Sequence, residues 1–394
     1  MNTAKDVFKT LYAKEWYRTV GFNELALDFT NHTSYRQAVK MLNRVRNEKD
    51  GTPVRTLSNI VEIEGEKVQK EIVKMTKDIL YDHDFAENGT PNNEAKAKVY
   101  MPDKRKIRIH HKTIEAKIKE YNKDKPDDLK IPLTEQEKFY ENIDNTINIS
   151  IDDVSVKKQK EKRPKDEEKS QDTKKHYVRN TIVHIEKLKE RYFLNACSTV
   201  EVLPRIVAFL LLNNNLKNYL LFFVDGEKSL HNAIVNKFSW FKDYGILLDW
   251  YHLSEKCKME LSLALKKRDF RNDILEKIEK QLWIGKIDGA IEILRSIAKD
   301  NIKSESNIER LIGYFERNRD YIPCYALRKS LGLRNSSNKG EKANDILVAS
   351  RQKHNGMSWS KDGSVALATI STLYKNNEQK NWQERSKIEF KFVS

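Results

Sequence analysis

Three acidic positions in this sequence could cooperate in one reaction. Asp225 comes directly after the apolar run 219–224, Glu341 follows a Ser-Asn turn, and the pair Asp152-Asp153 lies within a stretch of alternating apolar residues. Clustered carboxylates need cations, and hard divalent ions such as Mg²⁺ or Mn²⁺ prefer oxygen ligands. Two such ions, about 3.5–4 Å apart, can activate a water or a 3′-hydroxyl and stabilise the leaving oxygen of a phosphodiester. These residue types therefore predict phosphoryl transfer on a nucleic acid.

The elements that must position these acids alternate between strand and helix patterns. Period-2 alternation or a short continuous apolar run predicts five strands, over 146–156, 177–186, 191–198, 219–224 and 245–253. The first three follow one another without a helix, which predicts an antiparallel meander. The last two alternate with helices, which predicts parallel strands. This order matches an α/β fold of mixed (α+β) type, the ribonuclease-H-like fold.

A ribonuclease-H-like sheet would bring the acids together. In that fold the first strand runs through the middle of the sheet and the fourth strand lies beside it. An acid on strand one, Asp152 or its neighbour Asp153, would then lie next to Asp225 at the end of strand four. The last helix packs across the same place, so its first turn would supply Glu341.

Composition and periodicity divide the chain into four predicted parts. We predict a helical, basic, DNA-binding region over 1–140 and the first part of the ribonuclease-H-like core over 141–255. An all-helical insertion follows over 256–325, because its amphipathic segments contain no strand pattern. The last part of the core, with C-terminal helices, is expected over 326–394.

The charge of the chain indicates a polyanionic partner. Lys and Arg number 73 against 58 acidic residues, a net charge of +15, which favours nucleic acid over a membrane. A Lys-rich surface typical of a low-GC bacterium is the alternative. The basic segment 101–125 is interpreted either as a DNA-contacting module or as a solvated helical region. Near the acids, four residues are candidate DNA phosphate contacts or else solvated surface: Lys157, Lys158, Arg351 and Lys353.

Cysteine usage and the length of the apolar runs indicate a cytoplasmic protein. Cys197, Cys257 and Cys324 lie far apart without CxxC spacing, which argues against disulfides and zinc ribbons and favours a reducing cytosol. The longest apolar stretch, 202–212, contains an Arg and is far shorter than the roughly 20 residues that cross a bilayer. We therefore expect no membrane association.

Four segments, in this order, match a known family: IDDVSVKKQKEKR, FFVDGEKSLHNAI, LDWYHL and SSNKGEKANDILVASRQKHNGMSWS. Together they resemble DDE transposases of the Mutator-like superfamily from bacterial insertion sequences, over about residues 146–375. The resemblance implies that Asp152, Asp225 and Glu341 form the catalytic, metal-binding triad. One departure is Gly340, where an apolar residue usually precedes the Glu.

The resemblance also implies further residues and a reaction. The family pattern of Cys or Asp, two residues, then His matches Asp249 and His252, which implies a supporting role, although His252 could instead be a buried histidine bonded to Asp249. The implied enzyme binds the ends of its element, cleaves them and joins the 3′-ends to target DNA, with two Mg²⁺ or Mn²⁺ ions. Its implied partner is double-stranded DNA, on which it assembles as a homo-oligomer, associated with the bacterial nucleoid.

Several of these residues have simpler structural explanations. Asp225 could be an ordinary helix N-cap. Glu341, three residues after Asn338, fits a capping box, in which case Asp345 is the next candidate for the third acid. Trp359 is interpreted as a core aromatic rather than a residue that stacks on DNA.

Two other functions fit the same residues. One is a ribonuclease-H-like, metal-dependent nuclease that hydrolyses DNA without strand transfer. The other is a decayed or domesticated copy that only binds DNA. Inverted repeats flanking the gene would separate the transposase from both alternatives.

Overall fold

The computed structural model describes residues 19–47, 49, 51–159, 177–353 and 357–394, without the side chains of Ala95, Asn338, Lys339 and Glu341. Its centre is a mixed sheet of five strands, in the order β3-β2-β1-β4-β5. The strands are β1 Thr146–Lys157, β2 Tyr177–Lys187, β3 Glu190–Ala196, β4 Tyr219–Val224 and β5 Tyr244–Leu248. β1, β2 and β3 pair antiparallel, whereas β4 pairs parallel with both β1 and β5. The five predicted strands and the mixed α/β class are confirmed.

Helices precede, connect and follow these strands. They are α1 Val20–His32, α2 Tyr35–Val45, α3 Val54–Asp82, α4 Glu94–Val99, α5 His111–Asn122, α6 Thr199–Leu212, α7 Lys228–Phe238, α8 Trp250–Ala264, α9 Arg268–Trp283, α10 Ile287–Arg295, α11 Glu305–Arg317, α12 Tyr325–Ser330, α13 Asn338–Asn344, α14 Ser350–Gln352, α15 Lys361–Lys375 and α16 Gln379–Arg385. A π-helical turn, Asp345–Ala349, joins α13 to α14.

The continuous apolar run of β4 has a direct explanation in the packing. Leu220, Phe222 and Val224 face the main core, which contains the N-terminal helices, α6 and α15. Leu221 and Phe223 face a second core, built by α8 to α11. Successive side chains of a strand point to opposite faces, so a strand buried on both faces must be apolar at every position.

The helices α1 to α3 belong to the main core rather than to a separate unit. α3 packs along α15, and Gln69 Nε2 donates to Thr369 Oγ1 at 2.6 Å. α1 is joined to α15 by Ser371 Oγ, which donates to Asn31 Oδ1 at 2.9 Å. These contacts join residues 300 and 340 positions apart in the chain. The N-terminal helices are therefore part of the support of the sheet.

The basic segment that follows packs in a different place. Ile114 and Ile118 of α5, with Tyr140, share a third core with Cys324 and Leu327 at the end of the helical block. The region predicted as one unit over 1–140 thus contributes to two cores in the described residues. Removing it would expose apolar surface of both the sheet and the helical block.

The helical block begins earlier than its predicted start at residue 256. Asp249 follows β5 and caps α8, since its Oδ1 accepts from the N–H of Tyr251 at 2.8 Å. Such a cap ends the strand and starts the helix at once, so β5 ends at Leu248 and not at 253. The block then continues through α12 to Ser330.

The helices and the cysteines bear on the expectations about membranes and disulfides. Across the described ranges, no helix has both the length and the apolar character needed to cross a bilayer. Cys197, Cys257 and Cys324 are free thiols, and Cys257 and Cys324 are buried. Burial raises the pKa of the Cys324 thiol to about 12, so this thiol is protonated and packs as an apolar group.

Candidate active site

The pairing of β1 with β4 places two of the predicted acids side by side. Ser150 of β1 pairs with Phe223 of β4 in the parallel register. Two residues further along each strand, the same register puts Asp152 level with Asp225. Neighbouring strands lie about 4.8 Å apart, so both carboxylates reach the same end of the sheet. The structure therefore brings Asp152 and Asp225 together.

Asp152 is largely enclosed. Its Oδ1 accepts from the N–H of Asp153 at 2.7 Å, and its Oδ2 accepts from the side-chain amide of Asn344 in α13. Burial raises the pKa of Asp152 because it disfavours the charged form, and the nearby Asp225 carboxylate acts in the same direction. His252 opposes this shift and lowers the pKa. A bound cation would relieve the repulsion between the two carboxylates.

Asp153 has a different environment from its neighbour. Thr181 Oγ1 of β2 donates to its Oδ1 at 2.5 Å, and the guanidinium of Arg179 lies 3.2 Å from its Oδ2. These partners satisfy both carboxylate oxygens within the antiparallel part of the sheet. Of the two candidates for the first acid, Asp152 is therefore the better placed to act with Asp225.

Asp225 is half-buried and sits in a tight turn. Its Oδ1 accepts from the N–H of Glu227 at 2.9 Å, and α7 begins only at Lys228, with Glu227 at the N-cap position. The alternative interpretation of Asp225 as the N-cap is therefore wrong. The backbone carbonyl of Asp225 accepts from Tyr314 Oη at 3.0 Å, so α11 of the helical block holds this turn from outside the sheet.

A small cleft of about 30 Å³ lies between the two acids. Thr199, at the first turn of α6, lines it together with Asp152, Asp153 and Asp225. The volume accommodates a water-sized ion, and carboxylate oxygens are the donors that Mg²⁺ and Mn²⁺ prefer. Within the described residues, no three His, Cys, Asp or Glu side chains form a metal-binding group. Those residues do not include the side chain of Glu341, so the two aspartates fit part of a metal site.

The helix that carries Glu341 packs directly on β1. A Cβ at Gly340 would lie 2.7 Å from Ser150 Cβ, so only glycine permits this approach. Four residues further on, Asn344 lies on the same helix face and contacts Asp152. Glu341 precedes Asn344 by three residues in the same helix. Its side chain, and with it the capping-box alternative, lies outside the described part. Asp345, the alternative acid, is exposed.

The predicted supporting residues have distinct roles. Asp249 is fully buried, and besides capping α8 its Oδ2 accepts from the N–H of Ser337, just before α13. The N–H of Trp250 adds a bond to the carbonyl of Asn335 at 3.0 Å. Asp249 thus fixes the segment that leads to Glu341. His252 is half-buried in α8, and its proximity lowers the pKa of Asp152.

The four predicted DNA-contacting residues do not share one environment. Lys157 and Lys353 are exposed, and Lys158 is half-buried beside Trp359. Arg351 is only 7% exposed, and its guanidinium lies 5.2 Å from the ring centre of Tyr35 and 5.6 Å from that of Trp359. Burial also lowers the pKa of Arg351. Its position argues against the predicted phosphate contact.

Trp359 itself is a core residue. It is buried, and its Nε1 donates to the carbonyl of Gln352 at 3.1 Å. This packing agrees with the interpretation of Trp359 as a core aromatic.

Sequence reasoning missed three residues near the acids. Asn344 and Tyr314 contact Asp152 and Asp225 from positions 192 and 89 residues away. Asn344 lies within one of the four matched segments but was not singled out there, and Tyr314 lies outside all four. His231 of α7 is buried against Tyr321, with ring centres 4.5 Å apart. Burial lowers the pKa of His231, and the Asp225 carboxylate acts in the opposite direction. Only the folded chain identifies these neighbours.

Comparisons with known proteins add little to this geometry. No family model and no curated protein matches the chain. A solved structure with partial similarity is the Drosophila P element transposase strand transfer complex, at 8% identity and a TM-score of 0.26. The match covers 98% of this chain and 85% of the other. A TM-score this low does not establish a common fold.

Proposed function

We propose that this chain is a DNA transposase of the DDE type with a ribonuclease-H-like core, related to the Mutator-like enzymes of bacterial insertion sequences. The observation that carries the proposal is the β1–β4 register, which sets Asp152 level with Asp225 at one end of the sheet. The strand order, with three antiparallel strands followed by two parallel ones, supports the same fold. The resemblance of the four sequence segments supports the proposed family, and the net charge of +15 supports DNA as the partner.

In this proposal Asp152, Asp225 and Glu341 would hold two Mg²⁺ or Mn²⁺ ions. When bound, such ions would activate the attacking hydroxyl and stabilise the leaving oxygen of the phosphodiester. Asn344 keeps the Asp152 carboxylate in one orientation, and Tyr314 holds the Asp225 turn. The enzyme would bind both ends of its element as a homo-oligomer, then cleave them and transfer the 3′-ends to target DNA on the bacterial nucleoid.

The test uses the full chain and a duplex copied from the DNA that flanks its gene. Asp225→Asn and Asp152→Asn should each lower Mg²⁺-dependent cleavage by about 10⁴-fold, because the amide lacks the charge that a hard cation needs. Binding of the same duplex in EDTA should change little. The matched control is Asp273→Asn, an exposed aspartate of α9, which should cleave like the wild type.

Two results would contradict the proposal. Retained cleavage in Asp152→Asn with loss in Asp153→Asn would move the first acid by one residue. Retained cleavage in Asp225→Asn would show that the active site is not at these acids. Products that are only nicked, with no 3′-end joined to target, would favour the nuclease alternative over the transposase.

The third acid needs a paired measurement on Glu341→Gln. A capping box accepts Gln almost as well as Glu, whereas a metal ligand loses its charge. We therefore expect a melting temperature close to wild type together with the collapse of cleavage. If cleavage survives and only stability changes, Glu341 is a cap.

A further inference from the structure

A large basic groove lies in the segment before α5. The groove has a volume of about 900 Å³, and basic or imidazole side chains line much of it: Lys104, Arg105, Arg108, His110 and His111. Apart from Lys104, which contacts Asp243, these side chains make no ion pair with an acidic residue in the described ranges. The groove is therefore a concentration of cationic and donor groups that the acid site does not use.

The backbone beneath the groove is fixed. The N–H of Ile109 donates to the carbonyl of Tyr140 at 2.9 Å, and the N–H of Asn142 donates to the carbonyl of Ile107 at 2.8 Å. Ile107 is fully buried between these bonds, so the alternation of an extended segment turns Arg108 outward. The arginines of the groove thus start from a rigid base, which lowers the entropy lost on binding a ligand.

The acidic residues near the groove are mostly occupied elsewhere. Glu141, which pairs with Arg108 across the backbone, gives both carboxylate oxygens to the buried Arg328, at 2.5 and 2.9 Å. Glu115 pairs with Lys119 at 2.6 Å. Glu137 also lines the groove, and its carbonyl accepts from Arg108 Nη2 at 3.3 Å. The positive charge of Arg105 and Arg108 is therefore largely available to an anion.

The groove lies at the opposite end of the sheet from the acids. The Ile107–Asn142 pairing comes just before the start of β1, and Lys104 contacts Asp243, just before β5. Asp152 is six residues into β1, and a strand rises about 3.3 Å per residue. The groove and the acid pair are thus separated by at least about 20 Å along the strands, the length of about six base pairs of duplex DNA.

We propose that this groove binds the phosphate backbone of duplex DNA, at least about six base pairs from the position of cleavage, with Arg105 and Arg108 each neutralising one phosphate. The choice of DNA as the polyanion rests on the proposed function, whereas the groove itself rests on its shape and charge. Contacts of this kind position a duplex without reading its sequence. The groove supplies affinity, and the acids supply chemistry.

The experiment compares two doubly neutralised full-length proteins. Arg105→Gln/Arg108→Gln removes the proposed contacts, and Lys277→Gln/Lys280→Gln removes the same charge from exposed positions on α9. Binding to a fluorescent 30-base-pair duplex is measured in EDTA between 50 and 200 mM KCl. Two lost phosphate contacts should lower the log–log salt slope by about 1.8 and weaken binding by roughly 60-fold at 0.1 M salt. The α9 variant should bind like the wild type.

The salt slopes of the two variants decide whether the groove contacts DNA. An unchanged slope in the arginine variant, or an equal loss in both variants, would overturn the groove. Thermal melting of both proteins verifies that the exposed substitutions leave the fold intact. At saturating DNA and Mg²⁺, the arginine variant should cleave at the wild-type rate, with only KM raised. Because binding is measured without metal, the groove can fail while the acid site stands, and the reverse also holds.

Discussion

Two helices in this protein approach their neighbours more closely than a side chain would allow. Gly65 of α3 meets α15, where an added Cβ would lie 2.5 Å from Ala366 Cβ. Gly340 of α13 meets β1, where an added Cβ would lie 2.7 Å from Ser150 Cβ. A glycine within a helix costs about 0.5–1 kcal/mol relative to alanine. At both positions, glycine allows a close contact that alanine would prevent.

The two contacts differ in what they position. Gly65 lies in the main core, and the residues that line the acid cleft come from other elements than α3 and α15. Gly340 adjoins Glu341 and lies one turn before Asn344, which contacts Asp152. A close contact at a helix glycine therefore supports the fold at Gly65 and the proposed active site at Gly340. Substitution at each glycine should separate stability from activity.

Among the substitutions that test this contrast, Gly340→Ala should have the largest effect on cleavage. The new methyl group pushes α13 away from β1, and a displacement of about 1 Å near reacting groups can cost about 10²-fold in rate. The second-site change Ser150→Gly removes the Cβ that the new methyl would meet, so the double variant should recover most of the cleavage rate. Rates at saturating Mg²⁺ and DNA test both variants. Full activity of Gly340→Ala alone would show that the close contact does not position the site.

Gly65→Ala should have its effect on stability instead. The helices α3 and α15 are in direct contact at Gly65 and leave no room for the methyl group. Such overpacking costs about 1–3 kcal/mol in free energy of unfolding. Gly21→Ala is the matched control, because no heavy atom lies within 4 Å of an added Cβ there, and it should be neutral or stabilising. Urea unfolding measures both. A cleavage defect in folded Gly65→Ala would contradict the prediction that Gly65 affects stability alone whereas Gly340 affects cleavage.

Tyr314→Phe should produce the smallest effect. It removes one hydrogen bond, to the Asp225 carbonyl, worth about 1 kcal/mol, so cleavage should slow by about fivefold. Tyr325→Phe is the control in the same helical block, since Tyr325 Oη donates to the Leu248 carbonyl at 2.7 Å. Single-turnover cleavage and thermal melting are measured on both. Equal slowing in the two variants would mean that Tyr314 acts only through stability.

Much of the sheet and part of the site could be predicted from the sequence. The alternation of Ile147, Ile149 and Ile151 and the apolar run of β4 are local patterns that a strand must show when one or both faces are buried. The predicted end of β5 at residue 253 is wrong, because the cap formed by Asp249 with the N–H of Tyr251 competes with strand continuation. Periodicity records burial and does not show where a hydrogen bond ends an element.

The sequence by itself predicted the five strands and the candidate acids, Asp225 and either Asp152 or Asp153, because an acid within or directly after a buried strand pattern is a local feature of residue type and spacing. Only the tertiary structure showed that Asp153 has its own partners, Thr181 and Arg179, because both come from β2. Only the tertiary structure buried Arg351 between two aromatic rings and brought Tyr314 to the Asp225 turn. Such contacts join residues far apart in the chain, and close packing, which local patterns do not encode, decides which of them form.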